Sequence, residues 1–286
     1  MNNEMLLARR RIMMTKKSEK ALPADMVLLI NSPNAGDFSV TTNYGTFTAA
    51  KVSEYPYFDT TVTHKLSISD VTFSLGQPLS NDFTVLEFIV GVESWGSSNT
   101  YTNTSALFQE CTSLRGIPDS WAGLGAVTDA SYMFDFCTSL TSIPSSWEGL
   151  GALTDASYMF AFCISLTSIP SSWEGLGALT DASCMFAECP SLTSIPSSWE
   201  GLGALTDASY MFAFCTSLTN CGTIFTGLAK VTDVRQLFDG CTGMLGDIHA
   251  LYVYLSTKPI AVSYNSYCFR NCTQAVGYDL IPSSWK

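Results

Sequence analysis

Charge is scarce in this chain. Asp, Glu, Lys and Arg make up only 14% of its 286 residues, well below the roughly 25% of an ordinary globular protein. The apolar share of 47% is ample for a continuous core, so the surface must be built from Ser, Thr, Gly and Asn. Positive charge is scarcer still beyond the first twenty positions. Residues 1–20 carry six basic side chains (Arg9, Arg10, Arg11, Lys16, Lys17, Lys20) against Glu4 and Glu19, and the remainder carries eight against 23 acidic ones. An acidic body repels a phosphate backbone, which argues against nucleic acid as a partner. His64 and His249 are the only histidines, and neither stands beside a Ser or Cys in a recognisable catalytic arrangement. There is no Gly-rich phosphate loop, no HExxH and no CxxC pair. No cofactor or metal is therefore expected, and the chain reads as non-enzymatic. No apolar run approaches the roughly 18 residues of a membrane span. The apolar stretch Met5 to Ala8 is cut by three arginines before an h-region develops, so the N-terminus does not read as a secretory signal.

Repetition is what the chain has in abundance. CTSLRGIPDSWAGLGAVTDASYMFDF (111–136) is followed by CTSLTSIPSSWEGLGALTDASYMFAF (137–162), by close copies at 163–188 and 189–214, and by a looser one at 215–240. A unit this short cannot bury its own apolar residues and must stack on its neighbours. The register extends in both directions. Trp95 precedes Phe108 by the interval separating Trp121 from Phe134, and Asn103 stands where Asp129 does, so 85–110 reads as a degenerate first unit. After a five-residue enlargement around LYVYLSTKP, Tyr267, Cys268 and Phe269 match Tyr132, Met133 and Phe134. The chain thus divides into a basic docking tail at 1–22, a small β-domain at 23–84, and repeats over 85–271 starting near 85, 111, 137, 163, 189, 215 and 241. A truncated capping repeat at 272–286 ends in LIPSSW. The β-domain rests on alternating segments MVLLI (26–30), DFSVTTN (37–43), TFTAAKV (46–52) and TTVTHKLSIS (60–69), separated by turn residues.

Within one unit the phases have separable roles. In 137–162, Leu140 and Ile143 form a short strand that Pro144 ends by removing an amide donor. Trp147, Leu150 and Leu153 recur at threes along an arc. Asp155 is placed to cap a single helical turn over Ala-Ser-Tyr-Met-Phe, and Met159 and Phe160 close the core. Cys111, Cys137, Cys163, Cys189, Cys215, Cys241 and Cys272 share one phase, the pattern of a ladder of small, buried, free thiols. Asp129, Asp155, Asp181, Asp207 and Asp233 also recur in phase. One carboxylate per unit is far from the six to eight oxygens calcium needs, so capping accounts for them.

The pattern C-x-x-L-x-x-I … V/L-T-D-x-S-Y-M-F appears as AVTDASYMF (126–134), ALTDASYMF (152–160 and 204–212) and ALTDASCMF (178–186). It resembles the repeat of the BspA-like leucine-rich-repeat surface proteins, over about 85–275. The fold class expected is an α/β solenoid, a right-handed leucine-rich-repeat coil with a parallel β-ladder, preceded by the small antiparallel β-domain. One departure is that proline directly follows the second core aliphatic, as at Ile143–Pro144, which shortens the strand. The resemblance implies an extracellular or virion-surface binding protein.

Two aromatic rows are candidate binding features. Trp121, Trp147, Trp173 and Trp199 read first as a core spine and alternatively as an exposed strip that stacks on sugar rings. Phe136, Phe162 and Phe214 form a row interrupted by Glu110, Glu188 and Gly240. A core position would reject Glu, so this row is expected at the surface as a partner site. Arg9, Arg10 and Arg11 are the candidate anchor to a particle. The function expected is that of a non-enzymatic structural and binding protein of a bacteriophage virion, a tail or head fibre. Its partners would be other virion proteins through the tail and a host-surface glycan or protein through the solenoid, with homo-oligomerisation left open. A bacterial cell-surface adhesin of the same repeat family is the alternative.

Overall fold

The computed structural model describes five strand segments within residues 27–94 and the continuous stretch 102–286. The strands are β1 (Val27–Ser32), β2 (Phe38–Thr42), β3 (Gly45–Val52), β4 (Val62–Ser67) and β5 (Ile89–Ser94). They form one antiparallel sheet in the order β2-β3-β4-β1-β5. β1 to β4 fall on the four alternating segments, whose Val, Thr and Phe content suits a pleated surface. β1 runs against β4 without a break from Val27↔Ser67 to Ser32↔Val62, while its pairing with β5 slips twice.

β5 departs from the sequence reading. It lies inside 85–110, aligned above with the repeats, yet it completes the sheet on the open edge of β1. Its β-branched run, Ile89-Val90-Gly91-Val92, gives it the character of a strand. The same strand meets the repeats: the Val92 amide donates to the Gly116 carbonyl at 3.0 Å, and the Val92 side chain is buried in the repeat core.

From residue 102 each unit bonds to the next, 26 residues on or, across the enlargement, 31. Isolated parallel bridges join Asn103 to Asp129, Asp129 to Asp155, Asp155 to Asp181, Asp181 to Asp207, Asp207 to Asp233, and Asp233 to Tyr264. The extended pairing is one bridge at this position per unit, short of a multi-residue strand. The DASYMF segment carries the remaining bonds. The amides of Ala156, Tyr158, Phe160 and Phe162 donate to the carbonyls of Asp181, Ser183, Met185 and Ala187 in the next unit, at 2.8–2.9 Å. Within the unit, Met159, Ala161 and Cys163 each bond back three residues. Tyr158 and Phe162 have left-handed φ of 58°. Together these features describe linked turns with the positive φ of type II at every second one.

This corrects the expected capped helical turn. A helix would consume its amides internally, whereas here alternate amides point along the stack. Asp155 instead closes an Asx turn, its Oδ1 accepting the Ser157 amide at 2.8 Å. A left-handed non-glycine residue costs roughly 1–2 kcal/mol, and the inter-unit bonds offset that cost.

Two aromatic files fill the core. Phe108, Phe134, Phe160, Phe186, Phe212, Phe238 and Phe269 stack face over face at 5.3–6.3 Å. Trp121, Trp147, Trp173 and Trp199 stack at 5.8–6.2 Å. The thiol ladder runs beside them: Cys137, Cys163, Cys189, Cys215 and Cys241 each donate Sγ–H to the carbonyl of a phenylalanine in the preceding unit, at 3.1–3.3 Å. All ten cysteines are buried, and none is paired in a disulfide. Burial pushes the Cys215 thiol up to about 12.

The enlargement folds as a helix, α1 (Ile248–Thr257), capped by the Asp247 carboxylate on the Ala250 amide at 3.0 Å and burying Ile248, Leu251 and Leu255. Lys258 ends it, donating to the carbonyls of Ala229, Val231 and Ile260. At the far end, LIPSSW closes the Phe file instead of repeating the Trp position. Trp285 stacks on Phe269 at 6.3 Å, and its carbonyl accepts the Phe269 amide at 2.9 Å.

Candidate functional site

The left-handed positions determine what faces outward. Tyr132, Tyr158, Cys184 and Tyr210 occupy the first such position in successive units, and Phe136, Phe162, Glu188 and Phe214 the second. Rings stack along both rows: Tyr132 on Tyr158 at 4.5 Å, and Phe136 on Phe162 at 4.2 Å. Between the rows lie Ala161, Ala187 and Ala213, all buried, with Asp135 and Asp239 at the same position further along. Phe136, Phe162 and Phe214 are half-buried, outside the core files but not fully in solvent. Gly240 makes room for Phe214, since a Cβ there would meet the Phe214 ring at 2.5 Å.

The unit 163–188 breaks both rows at once, with Cys184 for tyrosine and Glu188 for phenylalanine. Cys184 and Ala187 are nonetheless buried between the rings of the units before and after, at 3% and 4% exposure. Ala161, Cys184 and Ala187 form a small apolar cluster of their own, packed by Tyr158, Phe162 and Tyr210 and separate from the main core. Glu188 stands half-buried beside it, and burial raises its carboxyl above the ordinary glutamate range.

The C-terminal end of the face already holds guanidinium groups. Arg270 lies over the Tyr267 ring at 4.5 Å and bonds the fully buried Asp239 carboxylate, with Nε to Oδ1 at 2.8 Å. Arg235 lies over Tyr264 at 4.9 Å and bonds both Asp233 oxygens. The carboxylate bond, ahead of the opposing effect of burial, raises each arginine further above its usual range.

Trp121, Trp147, Trp173 and Trp199 are 0% exposed. The sugar-stacking alternative for this row is therefore overturned, because each ring is covered by its neighbours and by the Phe file. The Trp199 indole donates to the Cys221 carbonyl at 2.9 Å, whereas Trp147 and Trp173 have buried N–H groups with no acceptor. Arg9, Arg10, Arg11 and Trp95 lie outside the described residues. An open groove of about 410 Å3, lined by Arg115, Asp119, Ser139, Thr141 and Ser165 among others, crosses the first units. Among the described residues, no three His, Cys, Asp or Glu side chains gather to hold a metal, and no helix is long and apolar enough to cross a membrane.

The sequence model of a family described as "Mycoplasma protein of unknown function, DUF285" matches residues 77–199, 102–225 and 177–274. These overlapping windows together run over more than half of the chain. The chain belongs to that family. The windows begin 25 and 75 residues apart, close to one and three repeat lengths, which is how a repeat pattern slides along a repetitive DUF285 chain. No curated protein and no solved structure matches it.

Sequence reading isolated the Phe row of this DUF285 chain by its tolerance of Glu. It missed the Tyr row, the alanine floor and Cys184. Their common signal is the left-handed position three residues before each buried alanine or aspartate, which only a backbone reveals when the residue is not glycine.

Proposed function

We propose that the protein is a non-enzymatic structural and adhesion protein, a right-handed leucine-rich-repeat solenoid behind a small antiparallel β-domain. It binds a surface glycan or protein through its outward Tyr–Phe rows. The observation that carries this reading is ring-on-ring stacking at 4.2–4.5 Å along a half-buried face. Such rings lose little freedom when a partner covers them, and a charge-poor surface offers few competing features. Two settings are compatible with adhesion. A bacteriophage fibre is supported by the basic residues 1–20 on an otherwise acidic chain, which suit an acidic acceptor on a particle. A bacterial cell surface is supported by membership of a family named for Mycoplasma proteins.

The test is binding of the fluorescently labelled full chain to intact cells, compared with a variant carrying Phe136→Ser, Phe162→Ser and Phe214→Ser. The reading expects the variant to stay folded and to lose most of its binding. Undiminished binding by the folded variant would overturn the face as the contact. Immunogold microscopy with an antibody to the protein distinguishes virions from cell envelopes as its location.

A further inference from the structure

We propose that the groove across the first units is a saccharide-binding site, formed where one rung of the repeat ladder is open. In later units the segment before the proline is bonded to its predecessor. Thr167, Thr193 and Thr219 each donate both the amide and the side-chain hydroxyl to the threonine carbonyl one unit back, at 3.2–3.4 Å. Thr141 makes neither bond to Arg115 among the described residues. The Ser139 hydroxyl is likewise unbonded there, although Ser165 and Ser191 in the next two units donate to backbone carbonyls at 2.7 Å. The Arg115–Gly116 segment is tied to β5 instead, through the Val92 amide on the Gly116 carbonyl. The open rung is also where the sequence departs from its own repeat. Arg115, Gly116 and Asp119 stand where the three following units carry Thr, Ser and Ser. All three line the groove, with Ser139, Thr141 and Ser142 of the next unit. Gly116 gives it width, since nothing lies within 4 Å of where its Cβ would be.

The ligand class follows from this lining. Arg115 and Asp119 are both exposed, and among the described residues neither side chain is engaged in an ion pair or hydrogen bond. The guanidinium, the Thr141 amide and the Ser139, Thr141 and Ser142 hydroxyls can donate, while the Asp119 carboxylate, the Arg115 carbonyl and the same hydroxyls can accept. One positive and one negative group leave the groove without net charge. Ile117 and Ile143 run half-buried along it as an apolar edge. A pyranose offers the same mixture in return, with hydroxyls that both donate and accept and C–H faces that an aliphatic edge covers. The volume of about 410 Å3 lies in the range of small-molecule sites. An added peptide strand suits the groove less well. Pro144 has no amide to give, and hydroxyls and charges stand where strand addition uses side-chain pockets. Neither Tyr132, Tyr158, Phe136 nor Phe162 lines the groove, so this site goes beyond the adhesion reading of the Tyr–Phe rows and does not depend on it.

The test follows the backbone amides of the 15N-labelled full chain by NMR while the methyl glycosides of glucose, mannose, galactose and N-acetylglucosamine are added in turn. At least one is expected to shift the Gly116, Thr141 and Ser142 amides saturably. Before any sugar is added, the Thr141 amide should exchange with deuterium at least about tenfold faster than those of Thr167 and Thr193. The variant Arg115→Thr/Gly116→Ser/Asp119→Ser gives the first unit the residues of its neighbours. It should stay folded, with the thiol ladder closed to alkylation, while protecting the Thr141 amide and weakening sugar binding at least about tenfold. Phe136→Ser/Phe162→Ser/Phe214→Ser should leave the sugar response intact while removing attachment to cells, so that failure of either reading shows separately. No saturable shift with any of the four sugars, or an undiminished response in the closed variant, would overturn the proposal. A response to an acetylated and amidated Thr-Ser-Ile-Pro peptide with none to the sugars would overturn it too, marking the rung as an edge for strand addition.

Discussion

Cys163 holds its Sγ 3.3 Å from the Phe134 carbonyl, which also accepts the Cys163-equivalent turn amide of Cys137. The thiol is a small core atom and a weak donor together. Cys163→Ala should cost about 1–2 kcal/mol through lost contacts and the bond, measurable by denaturant unfolding. Cys163→Asp, which places a charge in the ladder, should prevent folding. Asp181 offers a contrasting case. Burial raises its carboxyl above the usual 3.8, with bonds from Ser183 acting the other way and the Asp207 and Asp155 charges adding to the rise. A raised folded value means the stabilising contribution is complete below 3.8 and lost as pH climbs through the folded value. Asp181→Asn keeps an Oδ1 acceptor for Ser183, as Asn103 does for Ser105 at 3.0 Å. The variant should therefore be slightly more stable at pH 7, by roughly a few tenths of a kcal/mol given partial solvent screening. That difference should close as pH falls toward 4, which thermal melts across pH would show.

At the scale of the element, the arc between the Trp and Phe files depends on one glycine of a pair. Gly175 has φ 96°, and a Cβ there would lie 2.6 Å from the Trp147 backbone carbonyl; Gly177 has open space around it. Gly175→Ala should cost about 2–3 kcal/mol or more by combining strain and clash, while Gly177→Ala should change stability by about 0.5 kcal/mol or less. Equal effects of the two in chemical unfolding would contradict the packing described. The two glycines look alike in the repeated GLG motif, and this marks the limit of what sequence could tell. Periodicity exposed the unit length, the thiol phase and the Phe row, because composition repeats in one dimension. The alternation in 26–69 exposed β1 to β4 because each side chain's face follows from its parity. The DASYMF segment misled because its buried positions, Ala156, Met159, Phe160 and Cys163, have helical spacing. Linked turns satisfy that spacing too, and only the direction of the amides separates the alternatives. β5 misled because an alignment to the repeats cannot register a vacant sheet edge.

Across the whole molecule, each unit bonds to its immediate neighbours through the same amides, so stability should behave as a sum of units and interfaces. The Phe file runs without interruption from Phe108 to Phe269 and the Trp file from Trp121 to Trp199, with Trp285 closing one end of the Phe file and Val92 tying the other end of the core to the sheet. Removing the whole unit 163–188 should join Asp155 to Asp207 in the same geometry and leave a single cooperative unfolding transition with a lower midpoint. A central claim about stacking is best tested by a distance that counts units. Arg115 and Leu245 are exposed at equivalent positions five units apart, and the buried native thiols stay out of reach of a labelling reagent. Spin labels at Arg115→Cys and Leu245→Cys, read by pulsed dipolar spectroscopy, should lie about 24 Å apart in the full chain and about 19 Å apart in the chain lacking 163–188, one hydrogen-bonded step of roughly 4.8 Å less. A distance that is unchanged by the deletion, or a broad distribution in either chain, would contradict the stacked column.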